Sequence, residues 1–177
     1  MEKLKQHVRD AVQEFLRREP GLLKSAAHEQ AIAHRIAVCL EGTLSKTGSP
    51  QLNVDCEYNK HLKTSKAMSI DLNYFRQFPA CRCNACNKLR KEPAEMDTLP
   101  DKQFRPDVLV HHRGDDTMNL IAMEIKRRHV CPFDLAKLKG LTQPINADGY
   151  GYQLGVFLWF PNHKPQFRWF PEQQLHP

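Results

Sequence analysis

The sequence has no apolar run near the roughly 20 residues that a membrane-crossing helix needs. Its opening stretch, MEKLKQHVRDAVQEF, lacks the apolar core of a secretory signal. These two absences make residence in the cytoplasm, without membrane attachment, the expectation. Glycine is scarce, with 8 in 177 residues, and none forms the glycine-rich phosphate loop of P-loop enzymes. No internal repeat and no low-complexity tract is present, which excludes a solenoid and a long disordered segment. In a reducing compartment disulfides are rare. The six cysteines are therefore expected as free thiols or metal ligands.

What remains is an ordinary globular composition. Apolar residues make up 41% and charged residues 26%. A length of 177 residues suits one domain, residues 1–177, with a sizeable core. The formal net charge of +6 is compatible with a polyanionic partner.

Two short apolar runs organise the chain. The second, Asn119 to Lys126, reads NLIAMEIK. Strand side chains alternate between faces, so Leu120, Ala122, Glu124 and Lys126 share one face. Ile121, Met123 and Ile125 share the other. A strand this apolar is expected at the centre of a sheet. A carboxylate and an ammonium on such a strand need pairing or a metal. The first run opens at Pro106-Asp107 and continues Val108, Leu109, Val110. The turn Arg113-Gly114-Asp115-Asp116 predicts a hairpin between the two runs. Antiparallel pairing would bring Asp107 to Glu124. Two close carboxylates repel unless a cation lies between them, and oxygen donors favour Mg²⁺ or Mn²⁺. Lys126 beside such an ion can orient or deprotonate a water.

Pro106-Asp107, sixteen intervening residues, then Glu124-Ile125-Lys126 resembles the signature of the PD-(D/E)xK nuclease superfamily. The resemblance spans roughly Ser25 to Phe160 as architecture and only a few residues as motif. It implies an α/β, restriction-endonuclease-like αβββαβ core with a mixed central sheet. To that core this chain adds an N-terminal helix and a cysteine-containing insertion. The resemblance further implies that Asp107, Glu124 and the Ile125 backbone carbonyl bind Mg²⁺, and that Lys126 helps activate water. Such nucleases often take a further acid from the helix before the first core strand. Glu29, followed by His34 and Arg35, fits that spacing. Glu57 is the rival.

The rest of the chain reads in support. Glu2 to Arg18 is a predicted amphipathic helix, ended by Pro20-Gly21. Ser25 is the expected start and cap of a second helix through Leu40. Gly48-Ser49-Pro50 is a turn. Leu52 to Tyr58 alternates as a half-buried strand, with Asp55 and Glu57 on its polar face. Lys60 to Asp101 is irregular, with a basic cluster at Lys60, His61, Lys63 and Lys66. Residues 75–100 form an insertion that holds Cys81, Cys83 and Cys86. That CxCxxC spacing suggests a zinc knuckle, with Cys56, His61 or Cys131 as fourth ligand; unliganded thiols are the alternative. Pro132 to Leu141 is a predicted helix burying Leu135, Leu138 and Leu141, with Lys137 and Lys139 pointing elsewhere. Tyr152 to Phe160 is a strand and Phe167 to Phe170 an edge strand. Tyr150, Tyr152, Trp159, Phe160 and Trp169 are expected in packing rather than base stacking.

The expected function is a Mg²⁺-dependent nuclease, endo- or exonucleolytic, acting on nucleic acid and in first place DNA. Asp107, Glu124, Lys126 and Glu29 are its expected catalytic group, and a homodimer or a partner protein would suit double-strand cutting. The alternatives are a non-cleaving nucleic-acid-binding module and a zinc-stabilised interaction domain.

Overall fold

A computed structural model of the chain describes residues 1–25, 27–46, 52–58, 60–61, 64–65, 67–77, 81–93, 95–103, 105–114, 117–147 and 149–171. The turn at residues 48–50, and Lys63, Lys66, Asp115 and Asp116, lie outside them.

The N-terminal helix α1 spans Glu2–Arg18 and buries Val8, Ala11, Val12 and Phe15, the spacing of one helical stripe. Helix α2 spans Glu29–Ser45 and buries Ile32, Ala33, Ile36, Ala37, Leu40 and Leu44. Its cap is His28, whose ring accepts from the Gln30 backbone N–H. Ser25 is therefore not the cap. It sits in the preceding turn and donates its hydroxyl to the Leu22 carbonyl at 3.1 Å.

Strand β1 (Asn53–Cys56) is followed by the short pair β2 (Lys60–His61) and β3 (Thr64–Ser65). Strand β4 (Ala67–Asp71), helices α3 (Leu72–Arg76) and α4 (Asn84–Leu89), and strand β5 (Thr98–Gln103) come next. β4 and β5 pair antiparallel as a separate ribbon. The stretch expected to be irregular thus carries its own secondary structure. Strands β6 (Val108–His111) and β7 (Ile121–Lys126), helix α5 (Pro132–Leu141) and strands β8 (Leu154–Trp159) and β9 (Gln166–Phe170) complete the domain.

The main sheet has the order β1-β6-β7-β8-β9. β7 and β8 are parallel and the other neighbours antiparallel. The fold is a mixed α/β fold around a mixed five-stranded sheet. The order α2, β1, β6, β7, α5, β8 follows the expected helix, three strands, helix, strand. On one face Val108, Val110, Ile121, Met123, Ile125 and Val156 pack against α1 and α2. On the other, Leu109, Ala122 and Phe157 pack against α3, α4 and α5. Period-2 alternation along each strand supplies both faces.

Two expectations change at the sheet. The Asp55 carboxylate is buried rather than on a solvent face. Arg113 folds over this edge strand and donates to Asp55 from Nε at 2.8 Å, and His111 Nε2 lies 3.0 Å away. Burial pushes the Asp55 carboxyl up, but these partners hold it below its usual value. Cys56, expected on the buried side, is exposed. Tyr150, Tyr152 and Phe160 are buried, as packing residues should be. Trp169 stacks on Phe167 with ring centroids 5.1 Å apart.

β8 lies close to α5 because residue 155 is glycine. A Cβ there would meet Phe170 Cβ and Thr142 Cγ2, each at 2.9 Å. Gly155→Ala should lower stability by about 1–3 kcal/mol, the usual cost of overpacking. Chemical denaturation measures this, with the midpoint falling at constant slope. No helix among the described residues is long and apolar enough to cross a membrane.

Candidate active site and metal centre

The register Val108↔Met123 sets Asp107 beside the Glu124-Ile125 step of β7. The half-buried Asp107 accepts a hydrogen bond on Oδ2 from the Ile125 N–H at 2.6 Å. Glu124, on the α5 side of β7, is 1% exposed. Lys126 ends the strand, where it reaches the first turns of both α5 and α2. Its Nζ lies 3.2 Å from Glu29 Oε2 and 3.2 Å from Asp134 Oδ2. Glu29 also accepts from the Arg127 N–H at 3.1 Å. The carboxyl ends of parallel strands, beside helix N-termini, are the usual ligand site of α/β sheets.

Two members of the cluster were not found in the sequence. Asp134 and Lys137 of α5 are both buried. Lys137 Nζ lies 2.6 Å from Glu124 Oε1 and 2.7 Å from Asp134 Oδ1. The expectation that Lys137 points away from the core is thus corrected. Asp134, Lys137, Leu138 and Leu141 fall at i, i+3, i+4 and i+7, one helical stripe, and all are buried. That spacing was the available signal. Lys139 does leave this face and donates to Asp71 at 2.7 Å.

Four carboxylates (Glu29, Asp107, Glu124, Asp134) thus surround two ammoniums (Lys126, Lys137). With all ionised, the cluster carries a formal surplus of two negative charges. Burial is the largest influence on how these carboxyls titrate. Burial raises Asp107, with Lys126 and the Ile125 N–H opposing. Burial raises Glu124 well above its usual value, and Lys137 offsets only part of this. Asp134 is different: burial opposes ionisation, but the charges of Lys137 and Lys126 hold it at about 2. Burial would lower Lys126, yet Asp134, Asp107, Glu124 and Glu29 together push it above its ordinary value. The ammonium form of Lys126 is therefore favoured. Each carboxylate of the cluster contacts a lysine or a backbone N–H, and among the described residues only the four cysteines described below lie at metal-ligand spacing.

Of the two rival acids, Glu29 is the one that touches Lys126. Glu57 has a left-handed backbone (φ 50°) just beyond β1 and is exposed. Its backbone N–H donates to the Asp107 carbonyl at 3.2 Å, and its side chain accepts from Gln30 Nε2 at 2.5 Å. It stands at the rim. His34 is exposed, and Arg35 pairs with Glu19 at 2.6 Å.

A second cluster adjoins the first. The Sγ atoms of Cys81, Cys83, Cys86 and Cys131 all lie within 4.8 Å of one another. Cys131 is thus the fourth member; Cys56 is not part of the cluster. Cys131 Sγ is 3.8 Å from Cys83 Sγ and 3.7 Å from Cys86 Sγ. A tetrahedron with Zn–S bonds of about 2.3 Å has edges of about 3.8 Å. The hydrogen bond between the Cys86 and Cys131 thiols lowers Cys86 to about 5 and pushes Cys131 well above its usual value. Burial pushes Cys81 up to about 11. The four cysteines suit a metal such as zinc.

No family model, no curated protein and no solved structure matches this chain. The reading of the site therefore stands on its own residues.

Three cavities share the connection between β7 and α5. One of about 380 Å³ is lined by Ala27, His28, Glu29, Arg127, Arg128 and His129. Another of about 400 Å³ is lined by Arg127, Arg128, Phe160 and His163 among others. A third of about 550 Å³ is lined by Cys81, Arg82, Cys83, His129 and Val130. Arginine and histidine dominate their charged lining.

Proposed function

We propose that the chain is a metal-dependent nuclease of restriction-endonuclease-like fold that hydrolyses phosphodiester bonds, in first place those of DNA. One observation carries the reading. Asp107, Glu124, Lys126 and Glu29, drawn from three separate stretches of sequence, meet in one cluster at the end of β7. The cationic cavities on either side suit a phosphate backbone.

In this reading Asp107 and Glu124 would hold Mg²⁺ or Mn²⁺, together with the Ile125 carbonyl. Glu29 contributes directly or through water. The ion would supply a hydroxide near neutral pH and neutralise charge developing at phosphorus. Lys126 orients the attacking water and stabilises the oxyanion. Asp134 fixes Lys126 from the α5 side. Arg127 and Arg128 hold the flanking phosphates. The four cysteines hold a structural Zn²⁺.

Titration calorimetry with Mn²⁺ tests the metal site. Wild type should bind with an affinity that Asp107→Ala lowers at least about tenfold, roughly 1.4 kcal/mol. Equal binding by a folded Asp107→Ala protein would remove Asp107 from the site. Metal analysis tests the second centre. Purified protein should carry one zinc per chain, and Cys86→Ser should lose most of it. Wild type that carries no zinc as purified and takes none up from zinc-containing buffer would contradict that assignment.

Lys137 favours a second reading. Its ammonium stands 2.6 Å from Glu124, where a divalent ion would bind. A cluster neutralised in this way suits a module that binds nucleic acid without cutting it. Salt-sensitive DNA affinity, indifferent to Mg²⁺ and without cleavage, would decide for that module.

A further inference from the structure

The four cysteines are joined to the candidate active site through one helical turn. Cys81, Cys83 and Cys86 belong to the inserted segment around α4. Cys131 comes from the main body, where it is the N-cap residue of α5. It makes no cap bond of ordinary geometry, but its thiol interacts with the carboxyl and backbone N–H of Asp134, and the Cys86 thiol with the Phe133 N–H. Cys131 is 2% exposed and aimed at the other thiols. Asp134 follows within the first turn of α5. It holds Lys126 and Lys137, and Lys137 in turn holds Glu124. On the other side, residues 127–130 alone separate Cys131 from Lys126, and they line all three cavities.

We propose that the four-cysteine centre positions the catalytic cluster: zinc, by gripping Cys131, fixes the first turn of α5 and with it Asp134, Lys126 and Lys137. The inference rests on the nuclease reading above and adds a zinc requirement to it. The first turn of a helix has backbone donors without intrahelical partners, and a side-chain cap usually restrains it. Here the thiols of Cys131 and Cys86 face the first-turn N–H groups of Asp134 and Phe133 as well as the other cysteines. Metal–thiolate bonds to three sequence-distant cysteines would fix those sulfurs and so restrain that turn. Without the ion, the turn and the 127–130 connection lose this tether. The ammoniums of Lys126 and Lys137 then spread over more positions, and the divalent-ion site beside Glu124 loses its fixed geometry. Positioning errors near 1 Å are enough to weaken a preorganised site. The sheet, held by its two apolar faces, should persist.

The experiment compares zinc-loaded wild type, wild type treated with a zinc-selective chelator, Cys81→Ser and Cys81→His. Cys81 is chosen because it lies outside α5, and histidine can replace a thiolate as a zinc ligand. Amide hydrogen exchange is read over residues 127–137 and over β6 to β8. Mn²⁺ affinity is read by calorimetry. Zinc loss should speed exchange over 127–137 at least tenfold and weaken Mn²⁺ binding at least tenfold, with the strands unchanged. Cys81→His should restore both. Unchanged exchange and unchanged Mn²⁺ affinity would overturn the proposal. So would simultaneous loss of protection across the sheet, since zinc would then be a general folding ion. If zinc-loaded wild type binds no Mn²⁺, the nuclease reading falls, and exchange over 127–137 decides the coupling alone.

Discussion

Asp134→Ala should lower the stability of the domain by about 3–5 kcal/mol, the range for removing one partner of a buried ion pair. The carboxylate is 4% exposed and touches two ammoniums, at 2.7 and 3.2 Å. Its loss leaves Lys137 with Glu124 and Lys126 with Glu29. Both lysines would lose charge that now offsets their burial. Asp134→Asn keeps the shape and one oxygen acceptor and should cost less than Ala. Urea denaturation of both variants gives the order. A loss under about 1 kcal/mol in Asp134→Ala would mean that the cluster is far better hydrated than its burial indicates.

Lys126→Ala should reduce cleavage at least about 100-fold, the scale of a lost positioned donor or charge-stabilising group. Mn²⁺ binding should stay within a few-fold of wild type, since the carboxylates remain. Lys126→Arg restores charge but not a compact ammonium, so it should recover little. The surrounding carboxylates favour the charged form of Lys126. In the nuclease reading its loss would therefore remove a positive charge beside the reacting phosphate, where electrostatic stabilisation is largest.

The candidate site was legible where chemistry and strand period coincide. Asp107, Glu124 and Lys126 sit in runs whose alternation fixes their faces, and β6–β7 pairing makes them neighbours. Glu29 was singled out by the resemblance, through its spacing to His34 and Arg35. Lys137 was read as pointing away from the buried leucines of α5, and Asp134 was not singled out. Their partners are on another element and appear only after folding. Cys131 was one of three candidates for the same reason. It lies 45 residues from Cys86 in sequence, so local spacing cannot select it. Asp55 was read as a surface acid, since the arginine that covers it, Arg113, is 58 residues away. The β4–β5 ribbon and helices α3 and α4 were also illegible. β4 (AMSID) and β5 (TLPDKQ) carry no sustained apolar run, and α3 and α4 are too short for a helical period.

Cleavage of plasmid and single-stranded DNA by zinc-loaded protein tests the central claim most directly. Wild type and Lys126→Ala are incubated side by side with Mg²⁺, Mn²⁺ or EDTA. The nuclease reading predicts products with wild type and divalent metal, none with EDTA, and at least about 100-fold fewer with Lys126→Ala. Equal cleavage by the two proteins, or no cleavage by folded wild type on either DNA, would contradict it.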